Sequence, residues 1–263
     1  MFSISQTSRG FFCLEWSSTE NGPQIVSLNH LKIKNDFSDI SLIKDIISNY
    51  KISTKDESNS LSVTVSSNNV IISSILVLPD EADKIINWYE MNIMGDKFCS
   101  NYDNYYYPMY NSNQLLIVSF PKQIKKNIIT SSSNLGFNLV HLSLDIFSAA
   151  TFAKQLYKES FNEGIILWKL CKNNMHKIVT YKNNFIHSYL EIKKKSNKYI
   201  KSFGIGDSEQ INKLIDLVNS TLIDKKKYDD LSNILIYQTK EDKSIIYDIL
   251  KVNKKIKILS FNS

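Results

Sequence analysis

Short apolar runs broken by Asn and Gly occur in two places along the chain. In the first, Phe11-Phe12-Cys13-Leu14-Glu15-Trp16 is followed by a break at Asn21-Gly22, then by Ile25-Val26-Ser27-Leu28 and Leu31-Lys32-Ile33. In the second, Ile165-Ile166-Leu167-Trp168-Lys169-Leu170-Cys171 is followed by a break at Asn173-Asn174, a run over 176–181, a break at Asn183-Asn184 and a run over 185–192. Runs rich in Ile, Val, Phe and Trp, split by such residues, predict hairpin-linked strands. Each half of the chain therefore opens on a three-stranded meander, and the architecture reads as duplicated.

Helical spacing follows the first meander. Ile40, Ile43, Ile46 and Ile47 predict a helix over 36–50, with Ser38 or Asp39 as its cap. Residues 51–60 are polar and read as a loop. Leu61-Ser62-Val63-Thr64-Val65 alternates as a half-buried strand does. A second strand over 70–78 ends at Pro79. Asp80, Glu81 and Asp83 then place negative charge in the first turn of a helix faced by Ile85, Ile86, Tyr89 and Ile93. Tyr105-Tyr106-Tyr107-Pro108-Met109-Tyr110 reads as an edge strand, where proline is tolerated. Base stacking or a protein-contact surface are other uses of the same tyrosines. A strand over 115–120 leads into a helix over 121–132 opened by Pro121. A strand over 138–142 precedes a helix that starts at Ser143 or Asp145 and reaches about Tyr157. Its Ala149, Ala150 and Ala153 suit close packing against a sheet. In the second half, the meander is followed by a helix over 208–222, a strand over 233–237, a helix over 241–251 and a strand over 257–261.

Composition narrows the class. With 263 residues, 43% of them hydrophobic, the chain can build one large domain or two ordinary ones. No apolar run approaches the roughly 18–20 residues of a membrane-spanning helix. The first residues lack the basic start and long apolar stretch of a secretory signal. Cys13, Cys99 and Cys171 are too few and too scattered for a disulfide framework, so a reducing cytoplasm is expected. Cys13 and Cys171 fall in predicted strands as small core residues. The net charge is +6, almost all from Lys, with Arg9 the one arginine. Abundant Lys, Asn and Ile is the signature of an AT-rich genome, so the basic balance is weak evidence for nucleic acid. The runs at 193–195 and 225–227 read as solvated faces, with an anionic membrane or an acidic partner as the alternative.

Other candidate chemistry is sparse. His30, His141, His176 and His187 lack metal-ligand spacing with the cysteines. Gly204-Ile205-Gly206-Asp207 reads as a turn capped by Asp207 or Ser208, or as an anion contact through backbone N–H groups. Glu15, Asp145 and Asp207 can be drawn as a metal cluster across a cleft, but helix capping explains the latter two more cheaply. No Gly-Xaa-Ser-Xaa-Gly, Cys–His pairing or P-loop is present.

The order β-β-β-α-β-α-β gives a mixed sheet flanked by helices. It resembles the ribonuclease-H-like core, and two such cores in tandem resemble the actin-like arrangement. The expected fold is α/β and actin-like, with two tandem ribonuclease-H-like lobes and a small α+β insertion in the first. The first lobe spans 1–158, with the inserted subdomain at about 61–133, and the second spans 159–263. In its placement the insertion resembles the PilM-like family of type IV pilus assembly and the cytoplasmic part of the type II secretion protein GspL. The resemblance rests on the strand over 70–79 followed by an acidic amphipathic helix, and on the strand over 115–120 leading into Pro121-Lys122. It rests equally on Gly136-Phe137-Asn138-Leu139-Val140 and on Leu144-Asp145-Ile146-Phe147-Ser148-Ala149-Ala150.

The resemblance implies phosphate turns after the first strand of each lobe, where glycine admits phosphate to the backbone and an Asp organises metal and water. At the first turn this chain is read as Glu15-Trp16-Ser17-Ser18-Thr19, at the second as Trp168-Lys169-Leu170, and at the nucleoside position as Gln238-Thr239-Lys240. Glycine is missing from all three. Weak or absent ATP binding and no hydrolysis are expected, with Glu15, Ser17, Ser18 and Thr19 as a vestigial nucleotide cleft. No cofactor and no metal are expected, Mg-ATP being the open alternative. The implied function is a non-catalytic cytoplasmic adaptor, peripheral to the inner membrane through a PilN-like single-span membrane protein. Ile72, Leu76, Trp88, Tyr89 and Tyr105 are the candidate wall of a partner groove near the insertion. A divergent actin-like ATPase and a basic nucleic-acid-binding protein are the alternatives.

Overall fold

The computed structural model describes residues 1–7, 10–20, 22–50, 59–171, 174–224, 233–238 and 256–259. The helix predicted over 241–251, the lysine run at 225–227, Thr239 and Lys240 lie outside the described residues.

The first meander is β1 (Phe2–Thr7), β2 (Gly10–Thr19) and β3 (Gly22–Leu31), paired antiparallel. The helix α1 (Leu42–Tyr50) follows, then β4 (Ser60–Val65), which lies parallel to β1. The sequence reading began the meander at Phe11, one strand too late. Phe2-Ser3-Ile4-Ser5 alternates over too few residues to stand out, yet Phe2 and Ile4 are buried. The correction moves residues 11–16 into the second strand and makes 22–31 the third. It also removes β4 from the insertion, where the sequence reading had placed it.

The insertion proper begins after β4. It comprises β5 (Ile71–Leu76), α2 (Ala82–Tyr89), a π-helical turn (Glu90–Met94), α3 (Gly95–Asn101), β6 (Tyr102–Pro108) and β7 (Gln114–Pro121). Its strands form a small antiparallel sheet in the order β5-β7-β6, so the tyrosine strand is an edge, as its proline implies. The helix α4 (Lys122–Asn134) returns to the first lobe. There the Asn127 amide donates to the Phe37 and Ser38 carbonyls at 3.2 and 2.7 Å, and the Ser131 hydroxyl donates to the Ile40 carbonyl. β8 (Asn138–Leu144) completes the first sheet, whose order is β3-β2-β1-β4-β8. α1 seats Leu42, Ile43, Ile46 and Tyr50 in one core with Phe2, Ile4, Phe11 and Cys13. Each such aliphatic side chain contributes roughly 1.5–3 kcal/mol by leaving water. Burial pushes the Cys13 thiol up to about 12, an inert core thiol.

α5 (Asp145–Leu156) and α6 (Lys158–Glu163) lead into the second lobe. Its meander has four strands rather than three: β9 (Ile165–Leu170), β10 (Met175–Lys182), β11 (Phe185–Lys195) and β12 (Lys198–Gly206). α7 (Ser208–Leu222) is capped by Asp207, whose carboxylate accepts the Gln210 N–H at 2.8 Å. β13 (Ile234–Gln238) and β14 (Ile256–Leu259) add parallel to β9, and the sheet order is β12-β11-β10-β9-β13-β14. Apart from β12, the two sheets repeat one strand order with the same parallel and antiparallel pairs, so the duplication is topological. Gly204 and Gly206 belong to β12 and form no anion-binding turn. At Gly206, φ is +111° and a Cβ would stand 2.6 Å from the His187 carbonyl, so the strand pair closes only around glycine.

Alternation assigns the two faces of the second sheet. Trp168, His176, Ile178 and Leu190 lie beneath α7 with Leu214 and Val218. Leu167, Val179, Tyr181 and Tyr189 point the other way and share a core with Ile146, Ala149, Ala150 and Ala153 of α5. The three alanines thus lie between the lobes.

His176 meets Trp168 edge-on and Tyr199 at a tilt, and neither ring nitrogen has a hydrogen-bond partner among the described residues. Burial lowers its pKa to about 4. The unfolded chain, with an ordinary histidine value, takes up a proton near pH 6.5 that the folded chain refuses until about pH 4. Stability from this group is therefore full above pH 7 and is lost as pH falls, by about 2 kcal/mol at pH 5. Urea titrations at pH 7 and 5 are expected to show this slope in the native protein and to lose most of it in His176→Phe.

Candidate functional site

β1 passes into β2 between Thr7 and Gly10, which pair with each other. Glu15 lies five residues beyond Gly10, opposite Phe2 at the far end of β1. It is buried on the α1 face, and its carboxylate accepts from Ser27 at 3.4 Å beside Tyr50. Ser17 and Thr19 lie farther along the same strand, opposite Gln24 and Gly22, and Ser18 stands between them opposite Pro23. The sequence reading's assignment of these four residues to the first turn is therefore corrected. Its statement that the first turn lacks glycine also fails, because Gly10 closes it. That glycine serves the sheet: φ is +141°, and a Cβ would stand 2.0 Å from the Leu31 carbonyl.

The Thr7 end of β1 lies beside the 66–69 segment, which meets the second lobe. Gln6, next to Thr7, accepts from the Ser66 N–H at 3.1 Å and the Asn69 amide at 2.9 Å. Ser67 N–H donates to Asp145 Oδ1 at 3.1 Å. From the second lobe, Lys169 Nζ pairs with Asp145 Oδ2. Lys177 Nζ reaches both the Ser67 carbonyl, at 3.2 Å, and Glu191 Oε1, at 3.1 Å. The Tyr189 hydroxyl donates to Glu191 Oε1 at 2.5 Å. A chain of charge-assisted hydrogen bonds thus crosses the cleft between the lobes, one residue from the end of β9.

The electrostatics follow from burial. Burial alone lowers the Lys169 ammonium; Asp145, Cys171 and Glu191 more than offset it, and its pKa stands above the ordinary lysine value. Burial, then the Glu191 charge, raises the Tyr189 phenol. Burial, then Asp145, raises Tyr237 beside it. Every cation in this bridge has an anion and every carboxylate has donors, the condition under which buried charges persist. Asp145 is thus not a helix cap but the first-lobe anchor of the bridge. The cluster drawn from Glu15, Asp145 and Asp207 does not form, and no metal-ligand group occurs among the described residues. A lysine in the middle of the apolar run over 165–171 was the signal that sequence reasoning passed over.

A second feature lies beside α5. A cavity of about 600 Å³ opens where the insertion, the first lobe and the second lobe meet. Tyr105, Tyr107, Val118 and Phe120 line it from the insertion, Leu142, Phe147 and Ala150 from the first lobe, and Phe161, Tyr181 and Ile186 from the second. The Tyr107 and Phe147 rings meet at 4.9 Å. The insertion reaches the second lobe through a bridge between Met109 and Ile186 and through Tyr110 N–H on the Ile186 carbonyl at 2.7 Å. The cation Lys125, paired with Asp103 at 2.7 Å, and Lys154 stand at its edge.

Of the five groove residues read from sequence, Tyr105 lines this cavity. Ile72 packs against the core on the same face of the small sheet. Leu76 is 72% exposed. Trp88, 56% exposed, and Tyr89 are on α2, whose neighbour Glu90 accepts from Asn104 and Tyr106 on the opposite face. The five are split between two faces and do not form one wall.

No protein-family model matches the chain, and no curated protein matches it in sequence. Solved structures do match in shape. A chain of a PilM-PilN type IV pilus biogenesis complex aligns at TM-score 0.56 and 9% identity, over 98% of this chain and 88% of that one. The fold is actin-like. The cytoplasmic domain of EpsL, an inner-membrane component of the Vibrio cholerae type II secretion system, aligns at TM-score 0.45 and 9% identity over 90% and 80%. A Bacteroides thetaiotaomicron protein of unknown function with an actin-like ATPase fold aligns at 0.47 and 10% over 98% and 90%. No helix among the described residues is long and apolar enough to cross a membrane.

Cutting the bridge on one side leaves a buried carboxylate unpaired. Lys169→Met is expected to cost about 3 kcal/mol in urea unfolding, and Lys169→Met with Asp145→Asn to recover most of that loss. A double-variant loss equal to the sum of the separate Lys169→Met and Asp145→Asn losses would show that the pair does not couple.

Proposed function

We propose that this protein is a non-catalytic adaptor that takes a short apolar segment of a partner protein into the cavity beside α5. The partner in this reading is a single-span, PilN-like membrane protein of a type IV pilus or type II secretion-like machine. The adaptor acts in the cytoplasm, at the inner membrane, through that partner. The observation that carries the reading is the cavity itself: apolar, about 600 Å³, and framed by three parts of the fold rather than buried in one. An apolar hollow with a few polar edges binds side chains of a partner better than it binds a nucleotide, which brings several charges and a sugar.

The cleft where an actin-like ATPase holds its nucleotide supports the same reading. Lys169, Asp145, Lys177 and Glu191 meet there and satisfy one another. Phosphates entering would have to displace Asp145 from Lys169 and leave a buried carboxylate without its cation, a loss of several kcal/mol. The likeness to the PilM-PilN chain adds the precedent that a protein of this fold works in a complex with a protein partner.

Two measurements test the proposal. Purified protein heated with Mg-ATP from micromolar to millimolar is expected to show no saturable rise in Tm; a saturable rise would move the ATPase reading ahead. If a small one-span membrane protein is encoded beside it, the native chain co-expressed with that protein is expected to co-purify with it from detergent extracts. Thr151→Trp, which places an indole at the cavity from the exposed side of α5, is expected to reduce recovery at least tenfold. Undiminished recovery would remove the cavity from the interaction.

A further inference from the structure

The cavity's polar atoms are few and unevenly satisfied. Among its lining residues there is no carboxylate. Lys125 is engaged by Asp103 and by the Tyr105 hydroxyl at 3.1 Å. Lys154 makes no ion pair or hydrogen bond among the described residues. Tyr181 is 8% exposed, and its hydroxyl has no hydrogen-bond partner among the described residues. The fully enclosed polar atoms without a partner include Trp168 Nε1 and the His176 nitrogens but not this hydroxyl, which opens on the cavity. Burial, then the neighbouring Tyr107, raises the Tyr181 phenol, so it stays protonated and can donate.

We infer that the cavity selects an apolar peptide segment that carries a carboxylate, with the acid drawn to Lys154 and a peptide carbonyl accepting from Tyr181. The inference rests on the adaptor reading above and names the chemistry of the segment. A cavity with a free cation at its edge and no anion is complementary to an acidic group and disfavours a basic one. A nearly buried hydroxyl without a partner forfeits a hydrogen bond that a bound peptide carbonyl restores, which orients the main chain between the apolar walls. A peptide with basic residues beside its aliphatic ones gains the second contact and loses the first. The acidic side chain is thus the selective element and the aliphatic residues supply the affinity.

The test uses the full chain and a synthetic array of ten-residue peptides. Each carries three consecutive Leu, Ile or Val residues, followed one to three positions later by Glu, Gln or Lys. Binding is read by fluorescence anisotropy, with dodecanoate titrated in parallel. The Glu series is expected to bind about fivefold tighter than the Gln series and tighter still than the Lys series, a margin that shrinks with salt. Lys154→Glu, an exposed change that leaves the fold intact by circular dichroism, is expected to reverse the order. Tyr181→Phe is expected to weaken all series alike by several-fold, without reordering them. Thr151→Trp is expected to abolish binding throughout. Equal binding of Glu and Gln peptides, lost on Thr151→Trp, would overturn the acid selection and leave the adaptor reading standing. Binding unaffected by Thr151→Trp, no peptide binding at all, or saturable binding of dodecanoate alone would overturn both.

Discussion

The face between the lobes depends on a buried bridge of charges. Lys169 and Lys177 project from neighbouring strands of the second sheet, on the side that also presents Leu167, Val179 and Tyr181. Without Asp145 and Glu191 each lysine would be a bare cation in an apolar contact, at a cost of several kcal/mol. The pairs do little for stability beyond balancing that cost. What they add is direction: Asp145 meets Lys169 in one relative placement of the lobes, whereas the alanines of α5 would slide along the sheet with small loss. Ser67, which donates to Asp145 and accepts from Lys177, ties the two pairs into one network. The bridge therefore fixes the docking of lobes that apolar packing alone would leave loosely specified.

The cavity inherits its shape from that docking. The hairpin of β10 and β11 carries Tyr181 and Ile186 to the insertion, where Ile186 meets Met109 and Tyr110. If the lobes moved apart, the wall from the second lobe would leave and the hollow would become a shallow groove. Held as it is, the wall is pre-organised, and a bound segment is spared the entropy of ordering it. In the proposed reading the closed inter-lobe cleft and the open cavity are thus two consequences of one arrangement. The charges that bridge the lobes also hold the wall on which a partner would lie.

The parts of the fold that were legible in the sequence are those whose periodicity ran long enough. The helix α7 and the strands β4, β7 and β8 follow directly from spacing. The strand β1 was missed because alternation over Phe2-Ser3-Ile4-Ser5 is too brief to separate from an irregular start. That slip of one strand carried Glu15 from the α1 core to a phosphate turn, since a site inferred from strand order moves whenever the order is miscounted. The strand β12 was hidden by Lys198, Lys201 and Ser202, because an exposed edge strand shows little apolar alternation. Lys169 was legible in principle: a charge inside an otherwise apolar strand demands a buried partner. Its partner is 24 residues away in the chain and contributed by the other lobe, and no local pattern could name it. The cavity was less legible still, because its walls come from stretches near 105, 147 and 186 that only the tertiary fold joins.

The duplication explains how such a change is possible without loss of the fold. Both sheets keep the order in which two parallel strands extend the sheet on one side of the first strand of an antiparallel meander. That order brings Asp145, just past the end of β8, and Lys169 of β9 to face each other across the lobes. What lies between the lobes must satisfy the donors that converge there, and an anionic ligand is one solution. A pair of carboxylates from the protein, matched by lysines from the facing strands, is another. The second solution needs acidic side chains at the ends of first-lobe elements and cations on the facing sheet, which is where Asp145, Lys169 and Lys177 stand. In the proposed reading these charges, rather than a bound cofactor, hold the lobes together.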